Sequence, residues 1–245
     1  MGQGHWRLSF VIGGCIALFG FYLRNKLHET PLYKDMERHR HVKQSISEVF
    51  RHYKLQIGKG IWFCLLNSVG FYLISILFPI YFSIILGINY DSNLIISIAI
   101  LLLTTIPLPF IGMIGDHISN KKILIFSTVL IILLLYPLYI LIPGHSVVIS
   151  LIVAILFILA FTCLSALIPY RFAVLFPTTV RYTCVGISYN IVDGILGGFS
   201  PVIVLYFLNK SGSQASCYWI LLICALISLV SYFYIDEQKE HITPF

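Results

Sequence analysis

Residues 147–169 read VVISLIVAILFILAFTCLSALIP and contain no charged side chain. About 20 residues of α-helix cross the hydrocarbon core of a bilayer, so this stretch is long enough to span a membrane. Because lipid offers the backbone no hydrogen-bond partner, a segment of this kind must satisfy its own amide and carbonyl groups as a helix. The stretch therefore predicts a transmembrane helix.

Similar apolar runs recur along the whole chain. Together they cover roughly residues 6–23, 61–84, 94–113, 123–142, 147–169, 184–207 and 217–235. Hydrophobic residues make up 58% of the 245 residues and charged residues only 11%, where a soluble domain has about 25% charged residues. Such a chain has too little polar surface to cover a water-facing exterior. The sequence predicts an all-α membrane protein with seven transmembrane helices.

The positively charged residues give these helices an orientation. If the seven helices alternate in direction, 14 of the 16 Lys and Arg residues fall on one side of the membrane, and only Arg7 and Lys210 fall on the other. Segments that face the cytoplasm carry the excess of Lys and Arg. We therefore expect the N-terminus outside and the C-terminus in the cytoplasm. The net charge of +6 is then explained by the lipid surface, and no nucleic-acid partner is expected.

The longest polar segment, residues 24–59, separates the first two predicted helices. Its apolar residues Val42, Ile46, Val49 and Phe50 recur at helical spacing. This pattern indicates a short amphipathic helix on the inner leaflet, with its basic residues near anionic lipid. A plain solvated linker is the alternative interpretation.

The chain carries no motif for an enzyme, a metal site or a cofactor. Its six cysteines have no CxxC spacing and no histidine at ligand distance, so they are interpreted as small apolar residues. The P-loop, HExxH and GxSxG patterns do not occur in the sequence. We therefore expect no catalytic residues, no bound metal and no cofactor.

Polar residues inside the apolar runs are candidate site residues, because lipid disfavours them. Asp193 is the only acidic residue well inside a run, and Asn190 lies one helical turn away. A buried carboxylate can serve as a proton or cation site. It can equally be hydrogen-bonded across helices, or be a drifted residue in a degraded gene. Milder polar groups, each a helix–helix hydrogen bond or a ligand contact, lie in the second and fifth runs: Asn67, Ser68, Tyr72, Thr162, Cys163 and Ser165.

The segment 112–122 carries a resemblance to a known family. Its sequence, GMIGDHISNKK, resembles the G-x-x-x-D-x-x-G-R-K/R signature of the major facilitator superfamily. His117, Ser119 and Asn120 replace the usual Arg, Gly and Arg. The segment lies on the predicted cytoplasmic side between the third and fourth helices, where the second copy of that signature is expected.

Two further segments resemble one branch of this family, the metabolite:H+ symporters, which include proline/betaine transporters. Residues 176–183, FPTTVRYT, are followed by Tyr-Asn at 189–190 and by GGFSP at 197–201, which is similar to that branch's order of elements. Near the start of the chain, WRLSF and RNKLHETP resemble the surroundings of the branch's sixth helix. The resemblance covers nearly the whole sequence.

The resemblance implies an architecture. The seven helices correspond to family helices six to twelve, so that the chain is a C-terminal six-helix bundle with one preceding helix. Residues 1–23 are then the last helix of the N-terminal half, and 24–59 the central cytoplasmic loop. Residues 60–235 form the C-terminal transmembrane domain, and 236–245 a cytoplasmic tail.

The resemblance also implies a function, namely a fragment of a secondary active transporter in the bacterial inner membrane. The implied activity is proton-coupled symport of a small osmolyte or metabolite, such as proline or glycine betaine, by alternating access. The fragment is expected to be incomplete alone, with the lipid bilayer around it and the missing N-terminal half as a separate partner chain. A seven-helix receptor or sensor, and an inactive remnant of a truncated gene, are the alternatives.

The candidate site residues fall into three groups. A substrate is expected to contact Asn67, Tyr72, Thr162, Ser165, Tyr189 and Asn190. The candidate for proton coupling is Asp193. The residues that the resemblance assigns to the gating signature are Gly112, Asp116, Lys121, Lys122 and Arg181.

Overall fold

The computed structural model describes residues 6–26, 46–79, 90–141, 147–176, 180–211 and 215–234, and no strand occurs among them. The α-helices are α1 (Trp6–Lys26), α2 (Ile46–Tyr72), α3 (Tyr90–Thr105), α4 (Leu108–His117), α5 (Asn120–Leu141), α6 (Val147–Val174), α7 (Arg181–Tyr189), α8 (Gly198–Ser211) and α9 (Ala215–Tyr234). Two π-helical segments continue them: π1 (Leu73–Leu77) follows α2, and π2 (Asn190–Gly197) joins α7 to α8. The predicted all-α class is confirmed.

Six helical stretches in the described part of the chain are long and apolar enough to cross a membrane. Their bounds are Val49–Ile76, Leu94–His117, Asn120–Tyr139, Val148–Phe172, Arg181–Lys210 and Cys217–Tyr234. They correspond in order to the second to seventh predicted helices. The first prediction corresponds to α1, a helix of 21 residues. The chain is a multi-pass membrane protein.

The largest difference from the predicted helix boundaries is at the start of α2. The sequence predicted a helix from residue 61, whereas α2 begins at Ile46 and continues through one residue of non-helical backbone, Tyr53 (φ −110°, ψ 18°). Val49 is buried and Phe50 is exposed, so this part of the predicted amphipathic segment packs on the protein through Val49. Tyr53 thus marks a kink between the short helical segment that begins at Ile46 and the long helix that carries the apolar run.

Other predicted segments lie outside the described residues. They are residues 27–45 of the predicted loop, 177–179 of the FPTTVRYT segment and the predicted tail 236–245. The predicted domain boundaries stay predictions.

The chain divides into two compact units, residues 1–44 and 45–245. In the first unit the structure describes α1, where the Lys26 ammonium lies 4.7 Å from the centre of the Tyr22 ring. This is a cation–π contact one helical turn apart, at the end of α1 where positive charge also complements the helix dipole.

In the second unit, α2 and α6 carry the core. α2 packs against α6, α7, π2 and α9, and α6 packs against α3, α4 and α5. Leu66 of α2 and Leu164 of α6 are fully buried. The apolar stretch Leu94–His117 is mostly exposed, since only 6% of its most apolar 18 residues are buried within the protein. Its exposed aliphatic side chains suit contact with lipid rather than with water.

Two side chains of α9 bind the backbone of α2. Ser228 Oγ accepts a hydrogen bond from the Leu66 N–H at 3.1 Å and donates one to the Trp62 carbonyl at 3.0 Å. These backbone groups are four residues apart, the spacing of partners in a regular α-helix. The Tyr232 hydroxyl donates to the Phe63 carbonyl at 3.1 Å, and its ring lies edge-on to the Phe63 ring. Together these contacts set the register of α9 along α2.

A close approach between α2 and the end of α6 depends on Gly60. A Cβ atom at this position would lie 2.8 Å from Phe176 Cζ and 2.9 Å from Phe172 Cε2. One turn earlier, Ser188 Oγ of α7 donates to the Ile57 carbonyl at 3.3 Å. The absence of a side chain at Gly60 therefore allows two buried aromatic rings to pack directly on α2.

We expect Gly60→Ala to lower the free energy of unfolding by about 1–3 kcal/mol, because the two buried rings have to move to admit a methyl group. The matched control is Gly58→Ala, where a Cβ meets no atom within 4 Å. That change should leave stability unchanged or raise it by up to ~1 kcal/mol, since alanine favours helix over glycine. Unfolding is followed by circular dichroism during a titration from mild detergent into dodecyl sulfate. Equal stability of the two variants contradicts this account of Gly60.

Candidate functional site

A side-chain hydrogen bond joins α2 to α6 at two of the predicted substrate residues. Ser165 Oγ donates to Asn67 Oδ1 at 2.7 Å, and the two residues are 98 positions apart in sequence. Both side chains are half-buried, so they are packed between the helices but remain partly accessible. Because the Asn67 oxygen is engaged by Ser165, the group that Asn67 offers to a solute is its NH2 donor.

Pro169 changes the backbone beside this pair. The sequence predicted that this helix ends at residue 169, whereas α6 continues through Pro169 to Val174. Proline has no N–H, so it cannot donate to the carbonyl four residues earlier, which belongs to Ser165. Ser165 thus presents a hydroxyl, and a carbonyl without its helical donor, at the contact with α2.

A second polar cluster lies between α2 and π2. The Tyr72 ring packs on Gly197 so closely that a Cβ at Gly197 would be 2.8 Å from Tyr72 Cδ2. Tyr189 lies within electrostatic range of Asp193 and Tyr72, and Cys64 lies within electrostatic range of Asp193. The structure therefore brings together Tyr72, Tyr189 and Asp193, three residues that the sequence predicted separately.

The carboxylate of Asp193 belongs to the wide helical turn of π2. The Gly198 N–H bonds to the Asp193 carbonyl five residues earlier, the spacing of a π-helix. Beyond it, Pro201 has no N–H for the Gly197 carbonyl, and Ser200 Oγ donates there instead at 2.7 Å. The candidate proton-coupling residue thus lies in an irregular stretch of backbone, in which the Ser200 hydroxyl replaces a missing backbone donor. π-helical turns occur frequently at functional sites.

Two of the predicted substrate residues are engaged by their own helices. Thr162 is fully buried, and its Oγ1 donates to the Ile158 carbonyl at 2.8 Å. Asn190 is exposed, and its Nδ2 donates to the Gly186 carbonyl at 2.7 Å. The Thr162 hydroxyl is thus bonded within its own helix, whereas Asn190 lies at the surface at the first position of π2.

The signature segment packs through Gly115 rather than through Gly112. A Cβ at Gly115 would be 2.5 Å from Leu167 Cδ2, whereas a Cβ at Gly112 meets no atom within 4 Å. Gly115 therefore permits the contact between α4 and α6. Asp116, the next residue, is exposed, as is Lys122.

The remaining two positively charged residues of the predicted signature, Lys121 and Arg181, bind backbone carbonyls. Lys121 Nζ donates to the Phe233 carbonyl at 3.3 Å, in the last turn of α9. A cation there complements the negative end of the helix dipole. Arg181 Nε donates to the Phe176 carbonyl at 3.2 Å, across the connection between α6 and α7. Both residues thus have a structural contact besides the gating role predicted for them.

Cys64 and Phe172 belong to the site but were not predicted. Cys64 precedes Asn67 by three positions, so helical spacing alone could have placed it on the same face of α2. Phe172 lies with its ring centre 6.3 Å from that of Tyr189. No sequence signal indicates this contact, because the two residues belong to different helices.

Comparisons with known proteins agree with the resemblance found in the sequence. A family model described as Major Facilitator Superfamily matches residues 1–201. The ectoine/proline transporter ProP of Corynebacterium glutamicum is 24% identical over 96% of this chain and 49% of its own length. The citrate-proton symporter of Klebsiella pneumoniae is 26% identical over 91% of this chain and 51% of its own.

The proline/betaine transporter of Escherichia coli strain K12 is similar to the same extent, with 26% identity over 92% of this chain and 47% of its own length. The chain thus spans about half the length of the curated relatives it matches. This coverage agrees with the expected correspondence to one portion of a longer transporter. No solved structure matches the chain.

We expect a double-mutant cycle to detect the bond between Asn67 and Ser165. The coupling energy between Asn67→Ala and Ser165→Ala should be about 0.6 kcal/mol, with an upper limit of ~1.7 kcal/mol, as for other hydrogen bonds between membrane helices. In the control cycle Asn67→Ala is combined with Thr162→Val, whose hydroxyl bonds within its own helix, and the effects should add within about 0.5 kcal/mol. Both cycles are measured by unfolding in mixed micelles. Additive effects in the first cycle rule the interaction out.

Proposed function

We propose, since the chain belongs to the Major Facilitator Superfamily, that it forms one side of a transport cavity for a small solute. The solute is a zwitterionic osmolyte such as proline or glycine betaine, and its uptake is coupled to protons. Two of the relatives are named as proline transporters, which supports the class of solute. One is named as a citrate-proton symporter, which supports the coupling to protons. The membrane is the bacterial inner membrane, with the N-terminus outside and the C-terminus in the cytoplasm.

The observation that carries this proposal is the hydrogen bond between Asn67 and Ser165. It ties two helices together at residues that remain partly accessible, and it orients the Asn67 NH2 as a donor for a carboxylate. The nearby turn of α2 adds the Tyr72 hydroxyl and ring. A small zwitterion needs one donor set for its carboxylate and one aromatic or anionic surface for its cationic nitrogen.

Asp193 is the residue we assign to proton coupling. Cys64 and Tyr189, two uncharged side chains, lie within electrostatic range of it. Holding a charged carboxylate among neutral groups inside a membrane is unfavourable, and binding a proton removes that cost. Proton uptake at Asp193 can therefore alternate with the movement of the solute site between the two sides.

The second side of the cavity requires a segment equivalent to the other half of the relatives, in the same polypeptide or as a separate chain. Superfamily transporters bind substrate between two halves and expose the site by rocking one half against the other. The signature residues Gly112, Asp116, Lys121, Lys122 and Arg181 are assigned to the cytoplasmic side of this movement. Asp116 and Lys122 are exposed and so are accessible to a partner half.

The transport proposal is tested by supplying the second half. The chain is co-expressed with the part of the Escherichia coli proline/betaine transporter that precedes its sixth helix, purified and reconstituted in liposomes. Labelled proline and glycine betaine should accumulate when the pH gradient is imposed. Asn67→Ala should lower uptake about tenfold or more, the loss expected for one hydrogen bond to a charged group. The matched variant Thr162→Val should stay within about threefold of the unmodified chain, since its hydroxyl is already bonded to the Ile158 carbonyl of its own helix.

Two outcomes contradict the transport proposal. Neither half alone is expected to accumulate solute, so accumulation by this chain alone removes the need for a second half. An assembled pair that reaches the membrane and transports none of the tested solutes, citrate included, removes the assigned function.

If Asp193 couples transport to protons, its substitution should affect accumulation driven by a pH gradient but not exchange of solute. Asp193→Asn should lower accumulation driven by a pH gradient by about tenfold or more, because the amide cannot carry a proton. Exchange of labelled for unlabelled solute, which requires no net proton movement, should remain. The control is Gly194→Ala, next in sequence, where a Cβ meets no atom within 4 Å. Full gradient-driven accumulation by the asparagine variant excludes Asp193 as the coupling residue.

A further inference from the structure

A groove of about 520 Å³ lies on the side of α2 that faces α9, away from the two polar clusters. This volume is within the range of about 300–1,000 Å³ that small-molecule sites occupy. The residues that line it are Lys59, Trp62, Leu226, Ile227, Val230, Ser231 and Tyr234. Among the described residues that line it, Lys59 is the one charged residue and none is acidic. The groove is thus an apolar channel with a single positive group.

The positive group lies at one end of the groove. The Tyr232 hydroxyl binds the Phe63 carbonyl, and Ser228 binds Trp62, so later residues of α9 lie beside earlier residues of α2. By this register Lys59 and Tyr234 share the same end. Apolar side chains such as Leu226 lie toward the other end, deeper in the spanning part of α9.

A second ammonium group lies at the same end. Lys121 Nζ is 3.3 Å from the Phe233 carbonyl, the residue next to Tyr234. Lys59 is exposed, so its ammonium is accessible from the surface. Two lysines therefore flank the end of α9, on the side of the membrane where the sequence places most of the positive charge.

The side chains around this end are those of a membrane–water interface. Trp62 is 48% exposed and Tyr234 is 82% exposed. Both combine an apolar ring with a polar tip, the property that enriches tryptophan and tyrosine at the headgroup level. The groove is thus polar and positively charged at the end near Lys59 and Tyr234, and apolar toward its other end.

We propose that this groove is a binding site for one anionic phospholipid from the surrounding bilayer. An acyl chain fills the channel along Leu226, Ile227 and Val230, and the headgroup phosphate lies at Lys59, with Lys121 as the second positive charge. A free phosphate ion would gain nothing from the apolar lining, and a lipid without net negative charge would gain less from the two lysines than an anionic one. Only an amphipathic anion uses both features.

The test compares retention of two lipids with identical acyl chains, phosphatidylglycerol and phosphatidylcholine, by native mass spectrometry of the full chain. Phosphatidylglycerol should be retained preferentially, and Lys59→Gln should weaken its binding about fivefold, the factor equivalent to ~1 kcal/mol per lysine near a lipid surface. The matched control is Lys54→Gln, an exposed lysine on the same helix that does not line the groove. It should leave the preference unchanged.

A second variant tests the channel itself. Val230→Phe places a larger side chain in the groove and should reduce retention of both lipids, while Lys59→Gln reduces only the anionic one. Inorganic phosphate at millimolar concentration should not displace phosphatidylglycerol. Equal retention of the two lipids by the unmodified chain overturns the proposal. An equal effect of Lys54→Gln and Lys59→Gln, or displacement by free phosphate, overturns it as well.

Discussion

The structure depends on one constraint: inside a bilayer every backbone amide and carbonyl has to find its partner within the protein. Regular helix meets it over most of the described chain. The informative places are those where the helical ladder is altered. At Pro201 the hydroxyl of Ser200 supplies the donor that proline lacks for the Gly197 carbonyl. At α2 the hydroxyl of Ser228 lies between the Leu66 amide and the Trp62 carbonyl.

These alterations are concentrated around α2, and this links the framework to the site. One side of α2 is bound by side chains of α9, and another carries Asn67 and Tyr72 toward α6 and π2. The Tyr72–Gly197 contact lies at the boundary of both π-helical segments, because π1 begins directly after Tyr72 and π2 ends at Gly197. π-helical turns occur frequently at functional sites, and two of them adjoin this contact between candidate site residues.

The sequence predicted the helices well because a segment that spans the lipid has to be apolar, so it can be recognised from its composition. A run of about 20 apolar residues is rare outside a transmembrane helix, and six predicted helices recur among the described residues with shifted ends. The ends shifted where composition carries no signal. α2 includes a polar helical segment from Ile46 that precedes the kink at Tyr53, and α6 passes through Pro169 because proline in a membrane helix does not have to end it.

The site was predicted as single residues and not as an arrangement. Polarity within an apolar run identified Asn67 and Ser165, but their pairing across 98 positions depends on how two helices pack. Thr162 shows the limit of that signal: a threonine hydroxyl in a helix can bond to the carbonyl four residues earlier, and here it does. Polarity therefore marked it as a candidate although its hydroxyl is satisfied locally. The roles in substrate and proton binding stay predictions.

The position of Asp193 shows why packing and chemistry are inseparable here. Cys64 and Tyr189 lie within electrostatic range of it, and neither side chain is positively charged. A carboxylate inside a membrane protein is tolerated without a cationic side chain when a proton, water or a cationic ligand completes it. Under the proposed function, the species that completes the site at Asp193 is a small cation. A proton and the nitrogen of a zwitterion are both such species, and this is the physical basis of the coupling that we propose.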